Sequence, residues 1–243
     1  MHPYATGVVE KINQAISDQM DLLREASIKL ADRVEQGGLL YVLGSGHSHM
    51  IAEEIFYRAG GPIFVYPILE SGFMLHDGAL KSTRMERLSG YANAILDGLE
   101  IDEHDAFLVI SNSGRNHLPI EAAYYMKEKN ILTMSITSLA HSQSVDSRHP
   151  SGKRLFEITD ISFDNYGEVG DALLTLPNTE QKYGATSSVV GIVLVQTLMS
   201  MTIEALVNRG IQPPIFQSAN LDHANEQNQA LIDEYKKRIP FLK

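Results

Sequence analysis

Apolar positions fall in alternating blocks along this chain. Val8, Ile12, Ile16, Leu23, Ala26, Leu30 and Val34 recur at helical spacing, so residues 4–36 are expected to form one or two long amphipathic helices, closed by Gly37-Gly38. Leu39–Leu43 is a short continuous apolar run, the pattern of a strand buried on both faces. It passes directly into Gly44-Ser45-Gly46-His47-Ser48 and a helical stretch expected to reach Gly60-Gly61. Ile63–Leu69, Ala106–Ile110 and Ile131–Ile136 are further strand candidates, and Leu155–Phe163 is the candidate fifth. Residues 78–98, Leu118–Lys129 and Ser187–Asn208 have helical patterning, and a polar helical tail follows Pro213-Pro214. Strands that are apolar throughout, alternating with helices, predict an α/β fold with a parallel sheet covered on both faces.

Composition narrows the chemistry mainly by exclusion. With 243 residues, a large core is within reach, and 44% hydrophobic with 21% charged residues is an ordinary globular balance. The absence of cysteine removes disulfides, thiolate metal sites and thiol nucleophiles. A net charge of −10 argues against nucleic-acid and anionic-membrane partners, while a small anion needs only a local site. The longest apolar run, Val189–Met201, contains Gly191, Gln196 and Ser200, and the N-terminus lacks an apolar signal region, so a soluble cytoplasmic protein is expected.

Two turns concentrate candidate chemistry, each where a strand passes into a helix. In a doubly wound sheet such turns line the ligand crevice at the carboxyl ends of the strands. The first is Gly44-Ser45-Gly46-His47-Ser48, which lacks both the third glycine of a dinucleotide fingerprint and the Gly-Lys-Ser/Thr of a P-loop. The second is Ser111-Asn112-Ser113-Gly114-Arg115-Asn116, where hydroxyls, amides and backbone N–H groups gather at a helix start and can cradle an oxyanion. Ser, Asn and Gly also favour helix starts for capping alone; the pair of turns after the first and third strands is what points to a ligand.

Gly44-x-Gly46-x-Ser48 together with Ser111-x-Ser113-Gly114-x-Asn116 resembles the sugar isomerase (SIS) domain family, over roughly residues 39–208. The segments His76-Asp77-Gly78-Ala79 through Glu86-Arg87, and Pro213 through Asn220, look most like uncharacterised bacterial SIS-domain proteins labelled phosphoheptose-isomerase-like. The resemblance implies a three-layer α/β/α sandwich on a five-stranded parallel, flavodoxin-like sheet. An N-terminal helical arm (1–36), a core (37–209) and a C-terminal tail (210–243) would form one SIS-like domain. It also implies a phosphosugar held by Gly44, Ser45, Gly46, His47 and Ser48 on the first turn and by Ser111, Asn112, Ser113, Gly114 and Asn116 on the second. Thr137 and Ser138 would lie beside them, after the fourth strand. Asn116 stands where the family usually has Thr and keeps a donor there.

Aldose–ketose isomerisation needs a base that moves a proton between adjacent carbons and a group that assists ring opening; a carboxylate and a histidine suit these roles. The resemblance would place a glutamate in the helix after the first turn and a histidine in the last helix. In register from Ser48, the glutamate position falls near Arg58, and Ser187–Asn208 contains no histidine, only Gln196 and Glu204. The candidates are therefore Glu54, Glu70, His76, Glu86 and His223. Lys81, Arg84 and Arg87 form a basic stripe suited to an anionic sugar. His47 and His49 at i, i+2 do not share a helix face, and neither a metal nor another cofactor is expected.

The reading is a phosphosugar-binding protein, most simply an aldose–ketose isomerase. A non-catalytic phosphosugar sensor and an amino-sugar-phosphate etherase or lyase are the alternatives. The apolar surplus on residues 4–36 and 187–208 predicts a homodimer or homotetramer.

Overall fold

The computed structural model describes residues 1–222 and 224–243. Five parallel strands form the central sheet in the order β2-β1-β3-β4-β5: β1 (Leu40–Gly44), β2 (Val65–Pro67), β3 (Ala106–Ile110), β4 (Leu132–Thr137) and β5 (Ile161–Asp164). Every residue of β1, β3 and β4 is buried; β1 and β3 are correspondingly apolar along their length, whereas β4 alternates Leu132, Met134 and Ile136 with the buried hydroxyls of Thr133, Ser135 and Thr137. Gly44 pairs with Ile110 at the carboxyl ends of β1 and β3, where the strand order reverses. This is the α/β/α sandwich with flavodoxin-like order expected from the sequence, and its switch point lies between the two Gly-Ser turns.

Helices α1 (Pro3–Ser17), α2 (Met20–Glu35), α3 (His49–Ile55) and the long α8 (Ser187–Asn208) pack together. Helices α4 (Ala79–Glu86), α5 (Tyr91–Leu96) and α6 (His117–Glu128) form a second group, and α7 (Leu139–Gln143) follows β4. The joint between α1 and α2 is fixed by buried Gln19, whose amide donates to the Asp164 carbonyl at 2.8 Å and accepts from the Asp164 N–H at 2.7 Å. Helix α8 is long and apolar enough to cross a bilayer, yet Val190, Leu194, Val195, Leu198 and Met199 are buried in the sandwich. Two carboxylate oxygens of Asp171 cap its start, accepting from Thr186 N, Ser187 N and Ser187 Oγ at 2.6–3.1 Å.

The structure departs from the sequence expectations in several places. Helix α3 stops at Ile55 rather than near Gly60, because Phe56 turns extended and Tyr57 has φ +49, which sets their rings against Phe241 and Phe216 of the tail. Residues 78–98 are two helices, since Gly90 at φ +79 breaks the run. Strand β2 is only Val65–Pro67, at the edge of the sheet, where Pro67 is tolerated; just beyond it the Ile68 N–H still donates to Val42 O at 2.9 Å. Within 155–163, Leu155–Glu157 is a 3-10 turn and only the end is strand. A small antiparallel hairpin, β6 (Leu174–Thr175) with β7 (Lys182–Tyr183), is too short and polar to leave a sequence signal.

The tail is bound rather than trailing. Helix α9 (Ala224–Tyr235) follows a segment that runs beside the β2 side of the sheet: Ile63 N donates to Pro214 O and Phe216 N to Gly61 O, each at 3.0 Å. Arg238 then donates to the fully buried Asp105 at 2.7 Å, while Asp105 accepts from Leu39 N at the start of β1.

Candidate functional site

The two turns flank the crevice above β1 and β3, and they are built differently. In the first, Gly44 has no room for a side chain: a Cβ would lie 2.4 Å from Ser48 O. Gly46 takes φ +58, and a Cβ there would meet only Leu75, at 3.8 Å. Ser45 and Ser48 are half-buried and His47 is exposed. His49 is fully buried; its Nδ1–H donates to Gly44 O at 3.2 Å, which leaves the lone pair on Nε2. Nε2 is 3.5 Å from Glu53 Oε1, and it has no hydrogen-bond partner among the described residues. Burial holds the His49 pKa below the ordinary imidazole value, with His76 adding to the effect and the Gly44 bond and Glu53 opposing it.

The second turn is braced from all sides. Gly114 sits at φ +57, and a Cβ there would meet Leu155 at 3.0 Å, Ser142 Oγ at 3.2 Å and Thr137 Oγ1 at 3.3 Å. Ser111 Oγ accepts from Gly114 N at 3.2 Å, so its own proton remains to be donated. Asn112 Oδ1 accepts from Asn165 Nδ2 at 2.9 Å, and Asn165 Oδ1 accepts from Gly167 N at 2.8 Å; this relay leaves the Asn112 amide N–H groups to donate. Thr137 and Ser138 are fully buried, and their hydroxyls donate to the carbonyls of Asn112 (3.1 Å) and Gly167 (2.6 Å). The turn itself is held by the Thr137 hydroxyl and by Ser138 N, which donates to the same Asn112 carbonyl at 3.0 Å, while the Ser138 hydroxyl secures the loop at Gly167.

Sequence reasoning missed Arg148 here. Arg148, from the loop between α7 and β5, donates from Nη1 to Asn116 Oδ1 at 2.7 Å. With its carbonyl oxygen taken, Asn116 presents its NH2 group. Burial and the positive fields of Arg87 and Arg115 push the Arg148 pKa down, and Glu86 opposes them. Arg87 and Arg115 are thus near enough to Arg148 for their charges to act on it. Arg115 Nε and Ser142 Oγ are buried and have no hydrogen-bond partner among the described residues. Unmet buried donors beside a cationic, serine-rich turn are the chemistry of an anion site. The Arg148 contribution depends on a loop folding back from 32 residues downstream, and no local motif announces it.

A family model described as SIS domain matches residues 3–138. The chain belongs to the SIS-domain family. Among its relatives, UPF0309 protein lin2794 of Listeria innocua is 41% identical over 239 residues, covering 98% of this chain and 97% of the relative. UPF0309 protein BH3325 of Halalkalibacterium halodurans is 42% identical over 229 residues, covering 93% and 95%. In fold, this SIS protein is similar to a phosphoheptose isomerase from Francisella tularensis (TM-score 0.55, 16% identity, 83% of this chain and 95% of that one). It is also similar to phosphoheptose isomerase GmhA from Neisseria gonorrhoeae (TM-score 0.52, 14% identity, 82% and 94%).

Within this SIS domain the candidate carboxylates sit in distinct surroundings. Glu54 is held by Arg58 Nη1 at 2.8 Å and accepts from Gln196 Nε2 at 3.3 Å, so α3 and α8 meet through a neutralised carboxylate. Glu70, beyond β2, accepts from Tyr91 Oη at 3.0 Å and Gly72 N at 3.3 Å, and burial first, then Glu70, pushes the Tyr91 hydroxyl pKa up. Glu86 ends α4, half-buried, in the field of Arg148. His76 is exposed in a 3-10 turn whose Leu75 faces Gly46 of the first turn. Of the expected basic stripe, Lys81 is paired with Asp77, whereas Arg87 adds to the cationic side of the second turn. His223 lies outside the described residues.

Proposed function

We propose that this SIS protein binds a phosphosugar in the crevice between the two turns and interconverts its aldose and ketose forms. The observation that carries the reading is the second turn: free donors on Ser111, Asn112 and Asn116, with Arg115 and Arg148 alongside. A phosphate dianion seated there would receive neutral and charge-assisted hydrogen bonds, the latter the stronger kind. The sugar then extends towards Ser45, His47 and Ser48.

Glu86 is the proposed base. It is the candidate carboxylate in the electrostatic surroundings of the second turn, and unlike Glu54 it has no ion-pair partner within 4.0 Å among the described residues. It would take the proton from one carbon of the sugar and return it to the neighbouring carbon through an enediol, while a hydroxyl proton moves to the old carbonyl oxygen. His76, from the same connecting segment, would assist ring opening. A soluble, cytoplasmic homo-oligomer remains part of the reading, since α8 leaves Val189 and Val207 exposed at 39% and 53%.

Titration calorimetry with a panel of aldose and ketose phosphates tests binding, and proton exchange into deuterated water, followed by NMR, tests turnover. Binding with deuterium incorporation that is lost in Glu86→Gln is the expected result. Absence of binding across the panel, with Ser113→Ala identical to the wild type, overturns the reading. A second reading, a phosphosugar sensor, is favoured by the Glu54–Arg58–Gln196 contact, because it neutralises the carboxylate on the helix after the first turn. It predicts binding and thermal stabilisation without exchange.

A further inference from the structure

Next after Asn116 in the chain, His117 comes together with Glu121 and His149. His117 and Glu121 are one turn apart on the same face of α6, with His117 Nδ1 3.2 Å from Glu121 Oε1. His149 comes from the loop between α7 and β5, and its ring meets that of His117 edge-on at 5.5 Å. One ligand atom from each of the three residues lies within 4.8 Å of the other two. The notable member is Glu121. Its side chain is only 10% exposed, and among the described residues its ion-pair partner is His117 alone, with no lysine or arginine. A desolvated carboxylate with so little positive charge beside it favours a cation.

We propose that His117, Glu121 and His149 bind a divalent transition-metal ion. Two imidazoles and a carboxylate suit Zn2+ and its borderline neighbours, and are a poor set for the oxygen-preferring Ca2+ or Mg2+. Metal bonds of about 2.0–2.1 Å at tetrahedral angles place ligand atoms roughly 3.3 Å apart. The His117–Glu121 pair already meets that spacing, and the wider separations close by rotation of the His149 side chain, which the loop permits.

The surroundings are those of a supported site. Glu121 is oriented by Ser89 Oγ and Gly90 N, each donating at 2.8 Å to a different carboxylate oxygen. His149 Nδ1 accepts from Ser151 N at 3.2 Å and lies 2.9 Å from Ser151 Oγ, so ligation through Nε2 requires the ring proton to move to Nδ1, where Ser151 Oγ can accept it. A cavity of about 340 Å3, lined by Glu121, Tyr124, Asn93 and His149, opens at the same place and leaves a fourth coordination position for water.

Location gives the ion a role. Arg148 and His149 are adjacent in the chain, as are Asn116 and His117. An ion that pins His149 to α6 also pins Arg148 on Asn116, so it clasps the cationic loop onto the second turn.

The test uses untagged full-length protein, stripped with a chelator and titrated with Zn2+ against a chromophoric competitor; Co2+ supplies visible absorption bands as a second readout. One equivalent of tightly held Zn2+ is expected, weakened at least about tenfold in His149→Ala and in Glu121→Gln, with the Co2+ bands lost. His149 is in a loop and Glu121→Gln keeps side-chain shape, and circular dichroism verifies that both variants fold. Failure to hold an equivalent of Zn2+, or an affinity unchanged in both variants, overturns the proposal. No sugar is present in these titrations, so their outcome is independent of the phosphosugar reading.

Discussion

The first and second turns occupy equivalent places, after β1 and β3, yet only the second is fastened by side chains from elsewhere in the chain. Asn165 orients Asn112, Arg148 orients Asn116, and the Thr137 hydroxyl and the Ser138 N–H both donate to the Asn112 carbonyl. The first relies on its own backbone and on one buried histidine. Similar glycine-serine composition therefore yields a rigid, cationic cradle in one case and a more open rim in the other. A rigid cradle suits a ligand group that never varies, such as phosphate, and an open rim suits the sugar that distinguishes one substrate from another.

Four experiments would break or sharpen that contrast. The largest effect belongs to Gly114→Ala, where a left-handed backbone costs about 1–2 kcal/mol and overpacking against Leu155 about 1–3 kcal/mol more. Urea unfolding should register the sum, with loss of ligand binding. Next is Arg148→Ala, which removes a charge-assisted contact and frees Asn116 to rotate. Calorimetry should show sugar-phosphate affinity falling roughly 10–100-fold, with a weaker dependence on salt.

The third concerns pH. His49, His141 and His149 all have folded pKa values below the unfolded imidazole value, so the unfolded chain takes up protons first as pH falls. Stability is thus complete above about pH 6.5 and declines as pH drops towards the folded values. Denaturation midpoints measured from pH 8 to 5 should follow this slope, and His49→Gln should flatten it. The smallest effect is Gly46→Ala: the φ matches that of Gly114, but open space surrounds it, so only about 1 kcal/mol is expected. Equal losses for Gly46→Ala and Gly114→Ala would erase the distinction between the turns.

The fold was readable because β1 and β3 are buried on both faces and apolar throughout, and because β4, though it carries Thr133, Ser135 and Thr137, uses small hydroxyl residues suited to a strand. Where burial is partial or the element short, the signal fades: β2 shrank to three residues, the β6–β7 hairpin went unseen, and Gly90 broke a helix whose neighbours looked continuous. The serines and glycines of both turns were visible as local motifs. Arg148, Asn165 and His149 were not, because their meaning depends on a loop returning to α6 and on Asn165, just after β5, meeting Asn112 in the turn after β3. Spacing along a chain cannot encode such meetings.

The segment around Pro214 and Phe216 has a bearing on how the protein can be handled. By bonding to Gly61 and Ile63 it runs alongside the outermost strand region and, with Phe241 packed on Tyr66, caps an otherwise unpaired sheet margin. A chain shortened to residue 209 would expose backbone donors and acceptors that recruit other strands. Such a truncation should self-associate on size-exclusion chromatography even though every residue of both turns is retained.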